Sequence, residues 1–168
     1  KKGNCLTKNE IRPLSSYTLP TPEPKIKIFA DHREKASGVL KELVDMNTEI
    51  KLEQLNSADY ILSNRCAVEF KSVEDFACSL IDGRMLEQIK QLKHNFERPL
   101  IIVEGEQDLY TARNIHPNAV RGMLATIAVS FGIPVIFTKN SKESAAMIAI
   151  IARREQEETP NDSGADRN

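Results

Sequence analysis

What is scarce in this chain narrows its roles before any motif is considered. Tryptophan is absent and aromatic residues make up 5% of the 168 residues. Stacking of bases on a broad aromatic platform is therefore not expected as the main binding mode. The three cysteines, Cys5, Cys66 and Cys78, are odd in number and widely spaced, which suggests neither a disulfide framework nor a zinc site. His32, His94 and His116 are equally scattered and show no ligand spacing. A reduced, intracellular setting is expected, in cytoplasm or nucleoid, or in the nucleus if the source is eukaryotic. No apolar run approaches the roughly 18 to 20 residues that span a bilayer, and no signal-peptide pattern appears, so no membrane partner is expected. Net charge is −1; contact with nucleic acid would have to come from a local basic patch.

What is present fits one globular domain. Forty per cent of residues are hydrophobic and 28% charged, an ordinary balance for a packed core. Residues 1–25 read as a linker or arm, extended at Pro20, Pro22 and Pro24, and residues 159–168 as a polar tail without periodicity. The globular part is expected at 26–158. Because the chain opens on lysine, it reads as a piece of a longer protein.

Between the ends, strand and helix periods alternate. Strands are expected at Ile26–Ala30 and Glu49–Leu55. Asp59–Leu62 and Cys66–Lys71 flank Ser63-Asn64-Arg65 as a hairpin. Pro99–Val103 is fully apolar, as in a strand buried on both faces, and Ile133–Thr138 is the last strand. Helical stripes run over Glu34–Met46, Arg84–Asn95, Pro117–Phe131 and Ser141–Arg154. Ser72 suits an N-cap, with Asp75 at the third helical position. The sum is an α/β domain, a central mixed sheet flanked by helices on both faces.

The densest chemistry is Glu69-Phe70-Lys71. On a strand, Glu69 and Lys71 share one face and Phe70 takes the other. With Asp59 ten residues upstream of Glu69, two carboxylates can hold a hard divalent cation while an ammonium orients or deprotonates a water. That is the constellation of metal-dependent phosphodiester cleavage. The plainer reading is two solvated residues on an outer strand face. Asp31-His32-Arg33-Glu34 ends the first strand, where carboxylates can converge on a site; alternatively Asp31 caps the next helix and Glu34 favours its positive end. Asp75 divides between a site role and its capping role. No G-x-x-x-x-G-K-[ST] or G-x-G-x-x-G follows a strand, and no base stands near a Ser or Cys nucleophile.

Taken in order, Phe29–Glu34 (FADHRE), Ala58-Asp59-Tyr60, Glu69-Phe70-Lys71-Ser72 with Asp75, and Ser79–Arg84 (SLIDGR) resemble the XPF family of structure-specific endonucleases. Asn114–Gly122 (NIHPNAVRG) resembles most the archaeal branch, which includes the helicase-linked nuclease Hef. The resemblance spans roughly 26–158. It implies a restriction-endonuclease-like fold, branched DNA such as flaps and forks as substrate, phosphodiester hydrolysis with Mg²⁺ or Mn²⁺, and a role in DNA repair or fork processing. By position, Asp31, Asp59 and Glu69 match the family's metal-binding acids and Lys71 its lysine. Arg33, Glu34 and Asp75 match other residues important for cleavage. Two positions depart from the pattern: Phe70 stands where the family has arginine, and Ala58 where it has glycine. Two hypotheses follow, an active nuclease with an altered motif, or a catalytically weakened or inactive member serving as a DNA-binding or dimerisation module.

Arg84, Lys90, Lys93 and His94 fall in one helical region and are expected to contact phosphates, which position DNA without reading its sequence; a solvated helix face is the plain alternative. Residues 117–151 carry more apolar positions than one core face needs, which suggests a dimer, with Ile127, Phe131 and Ile148 at its interface. The resembled family pairs through this region, implying a homodimer or a heterodimer with a family paralogue. A sheet covered on both faces in a monomer would use the same residues.

Overall fold

A computed structural model describes residues 25–157. The tail expected from the sequence, the arm up to residue 24, and Cys5 lie outside the described residues. Six strands form one sheet in the order β2-β1-β3-β4-β5-β6. They are β1 (Lys27–Asp31), β2 (Glu49–Glu53), β3 (Tyr60–Ile61), β4 (Cys66–Ser72), β5 (Arg98–Glu104) and β6 (Val135–Thr138). The sheet is mixed: β1 is parallel to β2, β3 runs antiparallel to both β1 and β4, and β4, β5 and β6 are mutually parallel. Five helices cover it, α1 (Gly38–Asp45), α2 (Val73–Ile81), α3 (Met85–Asn95), α4 (Pro117–Ala125) and α5 (Ser141–Glu157). No helix among the described residues is long and apolar enough to cross a membrane.

The period-2 alternation of the strands divides the core in two. Ile28, Ala30, Tyr60, Cys66, Val68, Leu100 and Ile102 pack under α1 and α5 residues such as Leu43 and Ile148. Ala67, Ile101 and Val103 pack on the other face with Phe76, Met85, Ile89 and Val120 of α2, α3 and α4. Strand β5 is buried from Pro99 to Val103, as a strand covered on both faces must be.

Local chemistry explains where elements begin and stop. The expected helix from Glu34 is interrupted. His32–Ala36 forms a 3-10 turn, Ser37 is extended (ψ 145°), and only then does α1 begin. Both breaks carry capping residues: Asp31 accepts from the Arg33 N–H, and Ser37 Oγ from the Leu40 N–H. A side chain that satisfies an orphan helix donor holds its own backbone outside the helix. Asn47 takes the left-handed conformation (φ 59°) just past α1, a helix-ending role that asparagine tolerates. The expected strand through Leu55 stops at Glu53, and the Leu55 N–H is spent on the Asp31 carboxylate instead (2.7 Å). The expected helix Pro117–Phe131 holds as α4 but finishes as a π-helical segment, Thr126–Ser130. Thr126 Oγ1 donates to the Gly122 carbonyl there, and Gly132 (φ 61°) supplies the left-handed residue that turns the chain into β6.

Two expected interface residues prove to be core. Ile127 and Ile148 are each 0% exposed within a single chain, one in each core half. Neither presents surface to a partner, because the chain's own packing consumes both. Phe131 remains partly exposed.

Candidate active site

The sheet brings the motif residues to one end of β1, β3 and β4. Antiparallel pairing sets Ala30 opposite Tyr60, so Asp31 at the end of β1 sits beside Asp59, the residue just before β3. The Asp31 N–H donates to the Asp59 carbonyl (2.8 Å), and the Asp59 N–H to the Val68 carbonyl (3.0 Å). Asp59 thereby links β1 to β4 one step before Glu69. Its own carboxylate accepts from the Phe70 N–H (2.9 Å). Glu69 and Lys71 project to the α2–α4 face, and Lys71 Nζ lies 3.2 Å from Glu69 Oε1 with both side chains largely buried.

An open cleft of about 240 Å³ is lined by Arg33, Glu34, Asp59, Glu69, Phe70, Lys71, Asp75, Ser79, Arg84 and Gln88. A neighbouring hollow adds Asn56, Ser57, Ala58 and Gln91 around the same Asp59 and Glu69. A larger groove of about 700 Å³ lies between the ends of α1 and α5, but Glu157 is its one carboxylate; the chemistry is at the smaller cleft.

The charges there are unbalanced. Burial, then the Glu69 charge, pushes the Asp59 carboxyl up from 3.8 to about 7, against the opposing Phe70 hydrogen bond. Two carboxylates crowded in a half-buried cleft resist joint ionisation. Asp31 behaves in the opposite way. Burial alone would raise it, but the Arg33 guanidinium (Nε to Oδ1, 2.6 Å) and the Arg33 and Leu55 N–H groups hold it down to about 2. Both Asp31 oxygens are thus committed, and Asp31 faces a separate hollow with His32 and Leu55. Among the described residues no three His, Cys, Asp or Glu side chains come together as a ready metal site. The structure pairs Asp59 with Glu69 and uses Asp31 as a cap and an anchor for Arg33. Of the three expected acids, Asp59 and Glu69 line the cleft, and Asp31 sits beside Asp59 with its carboxylate engaged by Arg33 and the Leu55 N–H.

The donors at the cleft suit a hard cation. They are oxygen only, they include two carboxylates, and Asp59 carries a charge penalty that a cation would relieve. Mg²⁺ is commonly bound through one or two carboxylates, with water completing its shell.

The other expected site residues divide. Glu34 lies in the cleft, its Oε2 accepting from the Tyr60 hydroxyl (3.0 Å), which is also 3.2 Å from Ser37 Oγ. Asp75 reaches the cleft while serving the α2 cap: its N–H donates to Ser72 Oγ (3.0 Å), and Ser72 Oγ donates to its carboxylate (2.8 Å). Arg84 lines the cleft; its guanidinium pairs with Asp82 (2.8 Å). Lys90 and Lys93 line neither hollow, because they project roughly 120° and 180° around α3 from Arg84. Phe70 packs its ring against the core half under α1 and α5, opposite Glu69 and Lys71. Ala58 has no positive φ, since Asn47 is the one non-glycine with φ above zero among the described residues. Alanine therefore replaces glycine there without backbone strain.

Sequence reasoning missed Tyr60, Gln88 and Gln91. Tyr60 is fully buried (0% exposed), and only its hydroxyl contacts tie it to the site. The glutamines hold the i, i+4, i+7 spacing from Arg84, a polar stripe beside an apolar one, and that spacing was the available signal. Glu155 was missed as well. It ties α5 to the hairpin through Arg65 (2.8 Å) and Ser63 (3.2 Å) and to β5 through Arg98 (3.1 Å).

Comparisons with known proteins agree with this geometry. The ERCC4 domain family matches residues 30–151. A Methanocaldococcus jannaschii protein, whose name describes an ATP-dependent RNA helicase, is 44% identical over 135 residues, covering 80% of this chain and 16% of that protein. The 3′-flap repair endonuclease Xpf of Saccharolobus solfataricus is 33% identical over 133 residues, covering 78% of this chain and 56% of its own length. The chain thus spans about a sixth and about half of these relatives. Among solved structures, XPF from Aeropyrum pernix in complex with DNA superposes with a TM-score of 0.74 at 30% identity, covering 83% of this chain and 69% of that one. The chain's six-stranded mixed sheet has the restriction-endonuclease-like arrangement of that nuclease domain.

Proposed function

The chain belongs to the ERCC4-domain family, in its archaeal XPF branch, and from that premise we propose that it is a structure-specific DNA endonuclease. It hydrolyses phosphodiester bonds where duplex meets single strand, at flaps and forks, using Mg²⁺ or Mn²⁺, in repair or fork processing inside the cell. The observation that carries this reading is the Asp59–Glu69 pair, with Asp59 held up at about 7 and Lys71 3.2 Å from Glu69.

Asp59 and Glu69 would hold the cation, which supplies Lewis-acid stabilisation of charge on the phosphate and a more acidic water. The residues do the rest. Lys71 Nζ, anchored on Glu69, faces the cleft as a fixed positive charge beside the scissile phosphate. Arg33 has a side chain 72% exposed and is held at its base by Asp31. It stands at the mouth, where it meets the DNA backbone together with Arg84. Glu34, held by Tyr60, and Asp75, held by Ser72, border the same cleft. The relative from Aeropyrum, solved with DNA, supports DNA as the partner.

The rival reading, a non-catalytic DNA-binding or dimerisation module, rested on Phe70. Phe70 borders the cleft but packs against the core half under α1 and α5, which leaves the cleft face to Glu69 and Lys71 and supports the active reading. A dimer, with a second copy or a paralogue, forms through the α4–β6 flank. There Val129 (84% exposed) and Phe137 (52% exposed) leave apolar surface beside the partly exposed Phe131, and β6 is an edge strand. Calorimetric titration with Mn²⁺ tests the site: binding by the chain that disappears in Glu69→Gln is expected, and equal binding by both would place the cation elsewhere.

A further inference from the structure

Helix α3 turns one polar stripe toward the carboxylates. Arg84, Gln88 and Gln91 follow at spacings of four and three, hence on one face, while Met85, Ile89 and Leu92 seat the other face in the core. Gln88 touches both hollows that contain Asp59 and Glu69. Its Oε1 is buried and accepts no hydrogen bond, the one such buried side-chain polar atom found among the described residues. A buried acceptor without a donor is unfavourable, and native proteins rarely keep one without a use.

The fixed cations of the cleft are already engaged. Lys71 lies against Glu69 at 3.2 Å, Arg33 against Asp31 at 2.6 Å and Arg84 against Asp82 at 2.8 Å. None of them is placed on Gln88 Oε1, which is left without a donor in the hollows that hold the Asp59 and Glu69 carboxylates. A hard cation with its coordinated waters is the complement this set lacks. We propose that Gln88 is a further residue of the cation site, its Oε1 giving a neutral oxygen to the ion or to a water in the ion's shell. The assignment rests on the cation reading above. A carboxamide suits the position: with Glu34, Asp59, Glu69 and Asp75 already lining the cleft, an amide oxygen adds a ligand without adding negative charge.

The test is Mn²⁺ affinity by electron paramagnetic resonance on the full chain and on Glu69→Gln, Gln88→Met and Gln88→Glu. Methionine keeps the length and removes the acceptor; glutamate keeps an oxygen. Gln88→Met should bind Mn²⁺ about tenfold more weakly or worse, and Gln88→Glu should bind at least as tightly as the parent chain. Metal-free, Gln88→Met should melt no lower than the parent, because an unsatisfied acceptor has been replaced by an apolar group. That result separates lost ligation from lost folding. If Glu69→Gln loses Mn²⁺ while Gln88→Met retains it, the cation site stands and the role of Gln88 is overturned. Equal loss in both Gln88 variants overturns it too, since the oxygen would not be the working atom. If the parent chain binds no Mn²⁺, the cation reading falls and takes this assignment with it.

Discussion

Replacing Asp59 by asparagine should make the metal-free protein more stable above neutral pH, although Asp59 is placed at the heart of the site. Its carboxyl is raised from 3.8 to about 7, so the folded chain holds a proton there that the unfolded chain releases at lower pH. Stability from this group is full below about 4 and is lost as pH climbs through 7. At ~1.36 kcal/mol per pH unit, the loss reaches about 4 kcal/mol above neutrality, of which about 2–3 kcal/mol accrues between pH 5 and pH 8. Part of this belongs to the Asp59–Glu69 pair jointly. Asparagine keeps an oxygen for the Phe70 N–H and carries no charge. Urea unfolding in EDTA at both pH values measures the effect. Asp59→Asn should roughly match the parent at pH 5 within about 2 kcal/mol, exceed it at pH 8 by about 2–4 kcal/mol, and gain nothing from added Mn²⁺. A variant no more stable than the parent at pH 8 would refute the buried, charge-crowded pair.

Four further outcomes follow from the same geometry. Phe70→Arg should cost about 1–2 kcal/mol of stability through lost core contact and leave flap cleavage within about threefold; a tenfold gain would mean that the new arginine reaches the cleft. Tyr60→Phe should cost about 1 kcal/mol and slow cleavage, while adding nothing in a Glu34→Ala background, because the hydroxyl acts through Glu34. Glu155→Ala should cost about 2–3 kcal/mol, below the full range for a buried pair because Arg65 and Arg98 are 26% and 50% exposed, and should leave Mn²⁺ affinity unchanged. Val129→Glu should shift the chain toward monomer in sedimentation equilibrium without lowering its melting temperature; an unchanged mass would move the dimer surface elsewhere.

Strands were the most legible elements because their period and their bounding turns agree: the Ser63–Arg65 turn and the apolar β5 appear where the alternation put them. Helix ends were less legible. The Asp31 cap was one of two readings the sequence offered, but the Ser37 cap falls inside the expected helix, where periodicity does not reveal it. The pairing of Glu69 with Lys71, away from Phe70, followed from strand alternation alone. The fate of Asp31 did not, since it depends on Leu55 N–H arriving from a loop 24 residues away. Ile127 and Ile148 were misplaced for a related reason: counting apolar residues does not tell which face a two-sided sheet consumes. The Gln88 spacing was visible, yet a glutamine on a helix carries no chemical signal until the carboxylates beside it are located.

The most direct measurement of the central claim is cleavage of a labelled flap DNA by the purified chain with Mg²⁺, set beside Glu69→Gln and an EDTA control. Product at the duplex–single-strand junction from the parent chain alone, absent with EDTA and in the variant, is the predicted result. Product of equal yield from Glu69→Gln, or none from a parent chain shown to be folded and bound to the flap, would contradict it.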